Sequence, residues 1–252
     1  MEKSTFDLIV WLWTTVACIV FMVLLFVTAP YGRHTSRRWG ATIPDRLGWF
    51  IMEVPALIIF LFFILFGTAE KNLVVWIVAS LYALHYLHRA VIYPIRIRVK
   101  GKEMPLVIAL TAVFFNFVNA SLLGYYTGTL NTHYTMKWLA DPRFIAGILV
   151  FISGMGINIA SDEQLIRLRK NSNNGYQIPR GNLFENISCP NFFGEIVEWG
   201  GYAILCWSLP AFSFFIWTFC NLVPRALSHH KWYQEHFPDY PKERKALFPY
   251  IL

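Results

Sequence analysis

Long apolar stretches separated by short polar ones dominate the chain. They fall at roughly 6–28, 47–67, 72–95, 105–127 and 143–161, with a longer one at about 192–228. Each is long enough to cross a bilayer as a helix, which takes about 20 residues at 1.5 Å rise apiece. The last stretch is too long for one crossing, and Gly200, Gly201 and Pro210 offer breaks near its middle. The pattern therefore predicts seven spans, with the final two at roughly 192–208 and 210–228. The first stretch is too long and too poorly flanked for a cleaved leader, so it reads as a retained helix. Without internal repeats or a Gly/Ser-rich linker, residues 1–252 read as a single all-α membrane domain.

Charge orients those spans. Lys3, Lys71, Lys137 and Arg143 fall on one side, and the other 18 of the 22 basic residues fall on the opposite side. Basic loops stay cytoplasmic, so the N-terminus is expected outside and the C-terminus inside, which requires an odd number of spans. Two polar segments, roughly 162–191 and 229–252, then face the cytoplasm, where soluble cofactors are found. A net charge of +7 would suit nucleic acid in a soluble domain. Here the basic residues follow the loops, and no nucleic-acid partner is expected.

Composition agrees with the pattern. The chain is 56% hydrophobic and only 15% charged, with a mean hydropathy of +0.44. A soluble domain carries about 25% charged residues, so a water-facing surface, disorder and coiled coil are all excluded. Cys18, Cys189, Cys206 and Cys220 form no Cys-x-x-Cys pair, and neither a disulfide framework nor a zinc site is inferred.

Polar groups inside apolar stretches are costly and tend to mark function. Glu53 stands out in WFIMEVPALIIFLFFILFG, where the alternative is a carboxylate held by an arginine near the interface. His85, Tyr86, His88 and Arg89 follow in LHYLHR. No Glu-x-x-His or His-x-x-x-His spacing supports metal binding there, and ordinary structural hydrogen bonding competes with function. In GMGINIASDEQLIRLR, Asn158 and Asp162 share a helix face, with Arg169 about two turns further on. Gly154 and Gly156 suggest close helix packing. No strand precedes these glycines, so they do not form a dinucleotide-binding turn. Glu195 and Glu198 share a face of NFFGEIVEW, either as functional carboxylates or as partners of the helix dipole. The tail HHKWYQEHFPDYPKERKALFPYIL brings His229, His230, Tyr233, Tyr240 and Arg244, with an interfacial anchor as its alternative role.

In order and spacing, WFIMEVP, HYLHR, GMGINIASD, YQIPRGNLFE, NFFGEIVEW and FPDYPKERKALFPYIL resemble the steroid 5α-reductase family. The resemblance runs from PYGRHT at 30–35 to the C-terminus. It implies a seven-helix membrane fold and NADPH-dependent reduction of the Δ4 double bond of 3-oxo steroids. It also implies that Glu53 and Tyr86 are the catalytic pair. Cofactor contacts implied in the same way are Asn158, Asp162, Arg169, Tyr176, Asn191, Glu195, His229 and Tyr233, with Arg33 and Arg89 as further candidates. No metal is implied. The expected partners are a lipophilic enone and the lipid bilayer, and the expected state is a monomer.

That chemistry suits the residues. Reducing a conjugated enone places hydride on the β-carbon and a proton on the α-carbon, with the carbonyl oxygen polarised between. A tyrosine, with an ordinary pKa of about 10, keeps its proton at neutral pH and can donate it to that oxygen. Glu53 and Tyr86 lie at similar depths from one membrane face, so they meet if their helices pack together. Three alternatives remain: a reductase of another enone, enoyl or polyprenol lipid; an S-adenosylmethionine-dependent methyltransferase; and a proton-coupled transporter using Glu53, Asp162 and Glu195.

Overall fold

Backbone polar groups in lipid must find partners within their own segment, and every apolar stretch of this chain is accordingly helical. The computed structural model describes residues 1–30, 32–35, 39–97, 102–170 and 176–252. Arg37, Arg38, Arg98 and Lys100, together with part of the 162–191 segment, lie outside the described residues. The main elements are α1 (Lys3–Phe26), β1 (Thr42–Pro44), α2 (Asp45–Phe66) and α3 (Leu73–Leu87). A π-helical turn, His88–Ile92, carries α3 into α4 (Tyr93–Arg96). Then come β2 (Glu103–Pro105), α5 (Leu106–Tyr125) with its own π-helical turn at Tyr126–Leu130, α6 (Pro142–Lys170), α7 (Pro190–Cys206) and α8 (Leu209–His236).

Among the described residues, five helical segments are long and apolar enough to cross a membrane: Lys3–Phe26, Asp45–Phe66, Leu73–Arg96, Leu106–Leu130 and Pro142–Arg169. Their outward faces expose large apolar side chains, among them Trp11, Ile19, Phe26, Phe62, Phe114 and Leu149. Water would penalise so much contiguous apolar surface, whereas lipid does not. The chain is an all-α, multi-pass membrane protein.

Of three boundaries, the first agrees with the expected division at 192–208 and 210–228, and the other two differ from expectation. The break in the 192–228 stretch falls at Trp207, which adopts a left-handed conformation (φ 43°), with Pro210 at the start of α8. Gly200 and Gly201 lie inside α7 instead. Second, α8 runs to His236, so His229, His230 and Tyr233 are helical rather than part of a tail loop. A proline disfavours helix at the residue before it, so Pro238 leaves the preceding turns intact. Third, α6 extends to Lys170 and carries Asp162 and Arg169 on its last turns.

Contacts divide the chain into two compact units. One comprises Met1–Val10, Pro30–Ile145 and Ser208–Ala211; the other comprises Trp11–Ala29, Ala146–Trp207 and Phe212–Leu252. In the first, β1 and β2 pair antiparallel, with Thr42 opposite Pro105 and Ile43 opposite Met104. Each strand leads directly into a helix, so the ladder sets α2 and α5 in register at one end. At the other end Gly67 and Gly128 let the two backbones touch, since a Cβ at either would collide with the opposing chain. Lys71 caps that contact by donating to the carbonyls of Gly67, Ala69 and Gly128 at 3.0, 2.7 and 3.0 Å. Asn72 caps α3, accepting from the Val75 N–H.

The second unit is organised by glycines seven residues apart. A Cβ at Gly147 or Gly154 on α6, or at Gly194 or Gly201 on α7, would strike the backbone of the other helix. These four positions hold α6 and α7 in backbone contact along one heptad of each helix, the close approach that small residues permit. Gly156 has open space where its Cβ would be and takes no part. Beyond α8, Lys245 pairs with Ile187 in a parallel bridge, and the N–H groups of Ser188 and Cys189 donate to the carbonyls of Lys245 and Ala246. Ala246 and Leu247 thereby enter a core with Cys189, Ile196, Leu222, Val223 and Ala226.

Candidate active site

In the first unit, α2, α3 and α5 bring three polar side chains into an apolar, aromatic interior. Tyr86 is buried, and its hydroxyl donates to Asn116 Oδ1 at 3.5 Å. Asn116 Nδ2 donates to the Met52 carbonyl at 2.7 Å and approaches Glu53 Oε2 at 3.5 Å. Glu53 and Tyr86, 33 positions apart in sequence, thus meet at one amide. Aromatic rings wall the group. Tyr82 lies 4.6 Å from Tyr86 and stacks on Phe60 at 3.9 Å, and His85 sits edge-on to Tyr86 at 5.1 Å, all between ring centroids.

A π-helical turn begins two residues after Tyr86 and carries Arg89. Such turns recur at functional sites because the extra residue re-aims a side chain. Here the Arg89 guanidinium lies over Trp49 at 4.7 Å and over Tyr93 at 4.9 Å. Arg33, half-buried in the short helical turn Gly32–His34, belongs to the same unit.

The second unit gathers four of the sequence-predicted residues on the glycine-packed helices. Asn158 Nδ2 donates to the Asn191 carbonyl at 3.0 Å and to Glu195 Oε2 at 3.4 Å, while Asn191 Nδ2 donates to Asp162 Oδ1 at 3.0 Å. Gly194 makes this possible, because a Cβ there would strike the Asn158 backbone nitrogen. Glu198, one turn from Glu195, is wholly buried. Arg169 is half-buried on the last turns of α6. Tyr176 packs edge-on against Trp232 at 5.1 Å, Tyr233 stacks on Tyr240 at 5.2 Å, and His229 lies 5.6 Å from Phe192.

One cluster in this unit was not foreseen from sequence. Ser188 Oγ sits 2.6 Å from both His230 Nδ1 and the Tyr240 hydroxyl, and it donates to the Lys245 carbonyl at 3.1 Å. Burial, with Arg244 and Lys245 nearby, holds the His230 imidazole below its ordinary pKa, and burial raises that of Tyr240. Arg244 is fully buried, donates to the Pro179 carbonyl at 3.1 Å, and lies 5.0 Å over the Tyr240 ring. The group fastens the segment before α7 to the segment after α8.

A sequence model of the family described as 3-oxo-5-alpha-steroid 4-dehydrogenase matches residues 102–252. Similarity to individual proteins runs further. The steroid 5-alpha-reductase DET2 of Arabidopsis thaliana is 42% identical over 240 residues, covering 91% of this chain and 90% of its own. DET2 of Gossypium hirsutum is 40% identical, covering 94% and 93%. The 3-oxo-5-alpha-steroid 4-dehydrogenase 1 of Bos taurus is 40% identical over 255 residues, covering 100% and 98%. This chain belongs to the 3-oxo-5-alpha-steroid 4-dehydrogenase family. It is therefore an oxidoreductase of the class acting on CH–CH bonds. Glu53 and Tyr86 precede the segment matched by the family model, yet they fall within a chain matched from end to end by the bovine relative.

Sequence reasoning passed over Asn116 although a signal was present. Asn116 and Asn119 stand three residues apart in VFFNFVNASLLG, two amides on one face of an apolar helix. The polar residues singled out in the second to fourth spans were ionisable ones. Ser188 carried no comparable signal, since its partners are brought to it by the fold alone.

Proposed function

We propose that the chain reduces the Δ4 double bond of 3-oxo-Δ4 steroids with NADPH, giving the 5α-reduced ketone. The observation that carries this reading is the meeting of the Tyr86 hydroxyl and the Glu53 carboxyl at Asn116, within aromatic walls suited to a flat apolar substrate. Tyr86 donates a hydrogen bond to the substrate carbonyl, and Glu53 supports or shares that donation. Polarising the oxygen lowers electron density at the β-carbon, and the α-carbon then takes a proton. When bound, NADPH supplies the hydride for the β-carbon.

The donor set fits such a cofactor. Asp162 and Glu195 present carboxylate oxygens that already accept amide hydrogens, and such acceptors match ribose hydroxyls and a carboxamide. Asn158 and Asn191 add amides to this surface, while Tyr176, His229 and Tyr233 offer ring faces. Arg169 suits phosphate, because guanidinium pairs bidentately with phosphate oxygens; Arg33 and Arg89, in the other unit, stay candidates that the resemblance implies. Arg169→Ala is expected to raise the Michaelis constant for NADPH far more than that for the steroid. Unchanged NADPH affinity in a direct titration would move the phosphate contact elsewhere.

In this reading α7 and α8 complete seven spans, with the N-terminus outside and the cofactor segments cytoplasmic. The support is the 18-to-4 division of basic residues. Reporter fusions at Lys71 and Lys137 should give the outer-face signal, and a fusion at Leu252 the inner. A cytoplasmic signal from either of the first two would overturn the orientation. For the reaction itself, detergent-purified protein is incubated with NADPH and progesterone. Loss of reduced-cofactor absorbance, with a product heavier by two hydrogens, is the expected result. Reduction of an enoyl or polyprenol lipid with no turnover of any 3-oxo-Δ4 steroid would replace this substrate class.

A further inference from the structure

Asn116 is buried in the middle of α5, an otherwise apolar helix, where an amide without partners would be costly. All of its hydrogen-bonding capacity is directed at α2 and α3. The 2.7 Å bond to the Met52 carbonyl is of ordinary length. Pro55 lies three residues beyond Met52 and has no N–H for the Ile51 carbonyl, so the α2 ladder is already interrupted beside this anchor. Once Nδ2 is committed to Met52, the orientation of the amide is fixed. Its oxygen must face Tyr86, and its remaining hydrogen points toward Glu53.

The two functional contacts are different in kind. Both measure 3.5 Å, long for hydrogen bonds involving a hydroxyl or a carboxylate. An asparagine held firmly by the backbone thus holds Tyr86 and Glu53 loosely. A phenol has one proton to give. At rest that proton is directed at Asn116 Oδ1, and the long bond is readily exchanged for a shorter one to an incoming carbonyl oxygen. With the amide reversed, Nδ2 would face the phenol oxygen and could not accept the Tyr86 proton.

We propose that Asn116 is a positioning residue that sets the proton arrangement of the Tyr86–Glu53 pair before substrate arrives. This rests on the reading of Tyr86 as the donor to the substrate carbonyl. The groups facing the amide are Met52 and Glu53 from α2 and Tyr86 from α3, with Tyr82 and His85 packed behind Tyr86.

The test is steady-state kinetics of purified wild type, Asn116→Leu, Asn116→Asp, Tyr86→Phe and the Asn116→Leu/Tyr86→Phe double variant, with NADPH and progesterone. Misplacing a catalytic group can cost about 10²-fold. Asn116→Leu should accordingly lower kcat about 10–100-fold, with both Michaelis constants near wild type. Added to Tyr86→Phe, it should cost little more, because residues acting as a unit are not additive. Asn116→Asp keeps the amide's shape. When protonated it donates to Met52 and accepts from Tyr86 as the amide does; when ionised it repels both the Met52 carbonyl and Glu53. Its activity relative to wild type should therefore rise as the pH falls from about 8 to about 5, toward the ordinary carboxyl range.

Wild-type kcat in Asn116→Leu, or a loss that adds in full to that of Tyr86→Phe, overturns the inference while leaving the tyrosine reading intact. Normal turnover in Tyr86→Phe overturns both together. Should Asn116→Leu fail to fold, the Asn116→Asp profile decides: a profile parallel to that of wild type overturns the proposal.

Discussion

Tyr86→Phe should cut steroid turnover by about 10²–10⁴-fold, the usual loss when a positioned acid is removed, while NADPH affinity stays near wild type. The substitution removes one oxygen from a buried side chain whose ring packs against Tyr82 and His85. Packing is therefore conserved and the loss reads chemistry. Glu53→Gln should also be severe, since it keeps a polar group near Asn116 but replaces one carboxylate oxygen with a donor. Turnover and a direct NADPH titration on the same folded preparations separate the two steps. Near-normal turnover in Tyr86→Phe would remove the tyrosine from the chemistry and leave Glu53 as a binding group.

Adding one methyl group at Gly154 should be nearly as damaging without touching any polar side chain. Its Cβ would meet the backbone nitrogen of Glu198 and the carbonyl of Gly194. Backbone cannot rotate aside as a side chain can. Overpacking of this kind costs about 1–3 kcal/mol, and the neighbouring turn carries Asn158. Gly154→Ala and Gly194→Ala should therefore lower the thermal midpoint in detergent and weaken NADPH binding together. Gly156→Ala is the control. With open space around its Cβ, it should be neutral or gain up to about 1 kcal/mol from improved helix propensity. Equal losses at Gly154 and Gly156 would mean that the α6–α7 contact does not govern the cofactor residues.

The contrast between those two glycines shows where sequence reading stops. Hydropathy placed the membrane helices of α1 to α5 and the start of α6 to within a few residues, because lipid forces backbone bonds to be local. Shared helix faces singled out Asn158, Asp162 and Glu195, and the family resemblance added Asn191; the fold brings the four into one hydrogen-bonded set. Which of Gly154 and Gly156 packs depends on the rotation of α6 about its own axis, and a uniformly apolar helix carries little record of that rotation. The break at Trp207 lies where Pro210 marked it. Two adjacent glycines look like an interruption until a facing helix needs one of them. Asn116 was legible in principle as an amide amid phenylalanines. Ser188 was not, because its contacts with His230, Tyr240 and Lys245 span 42, 52 and 57 residues.

Those separations impose an order in time. The segment Ile187–Cys189 leads straight into α7, where Asn191 and Glu195 stand, and its pairing partner is Lys245. Lys245 follows Ile187 by 58 residues, so α7 and α8 are both synthesised before the residue that pairs with the entrance of α7. Until then Ser188 lacks two of its partners, Tyr240 and the Lys245 carbonyl. A nascent chain ending between His236 and Tyr240 would carry α7 and α8 in full, with Asn191, Glu195, His229 and Tyr233, yet lack that fastening. Quality control that senses an unfastened entrance to α7 would have a defined target in such a chain.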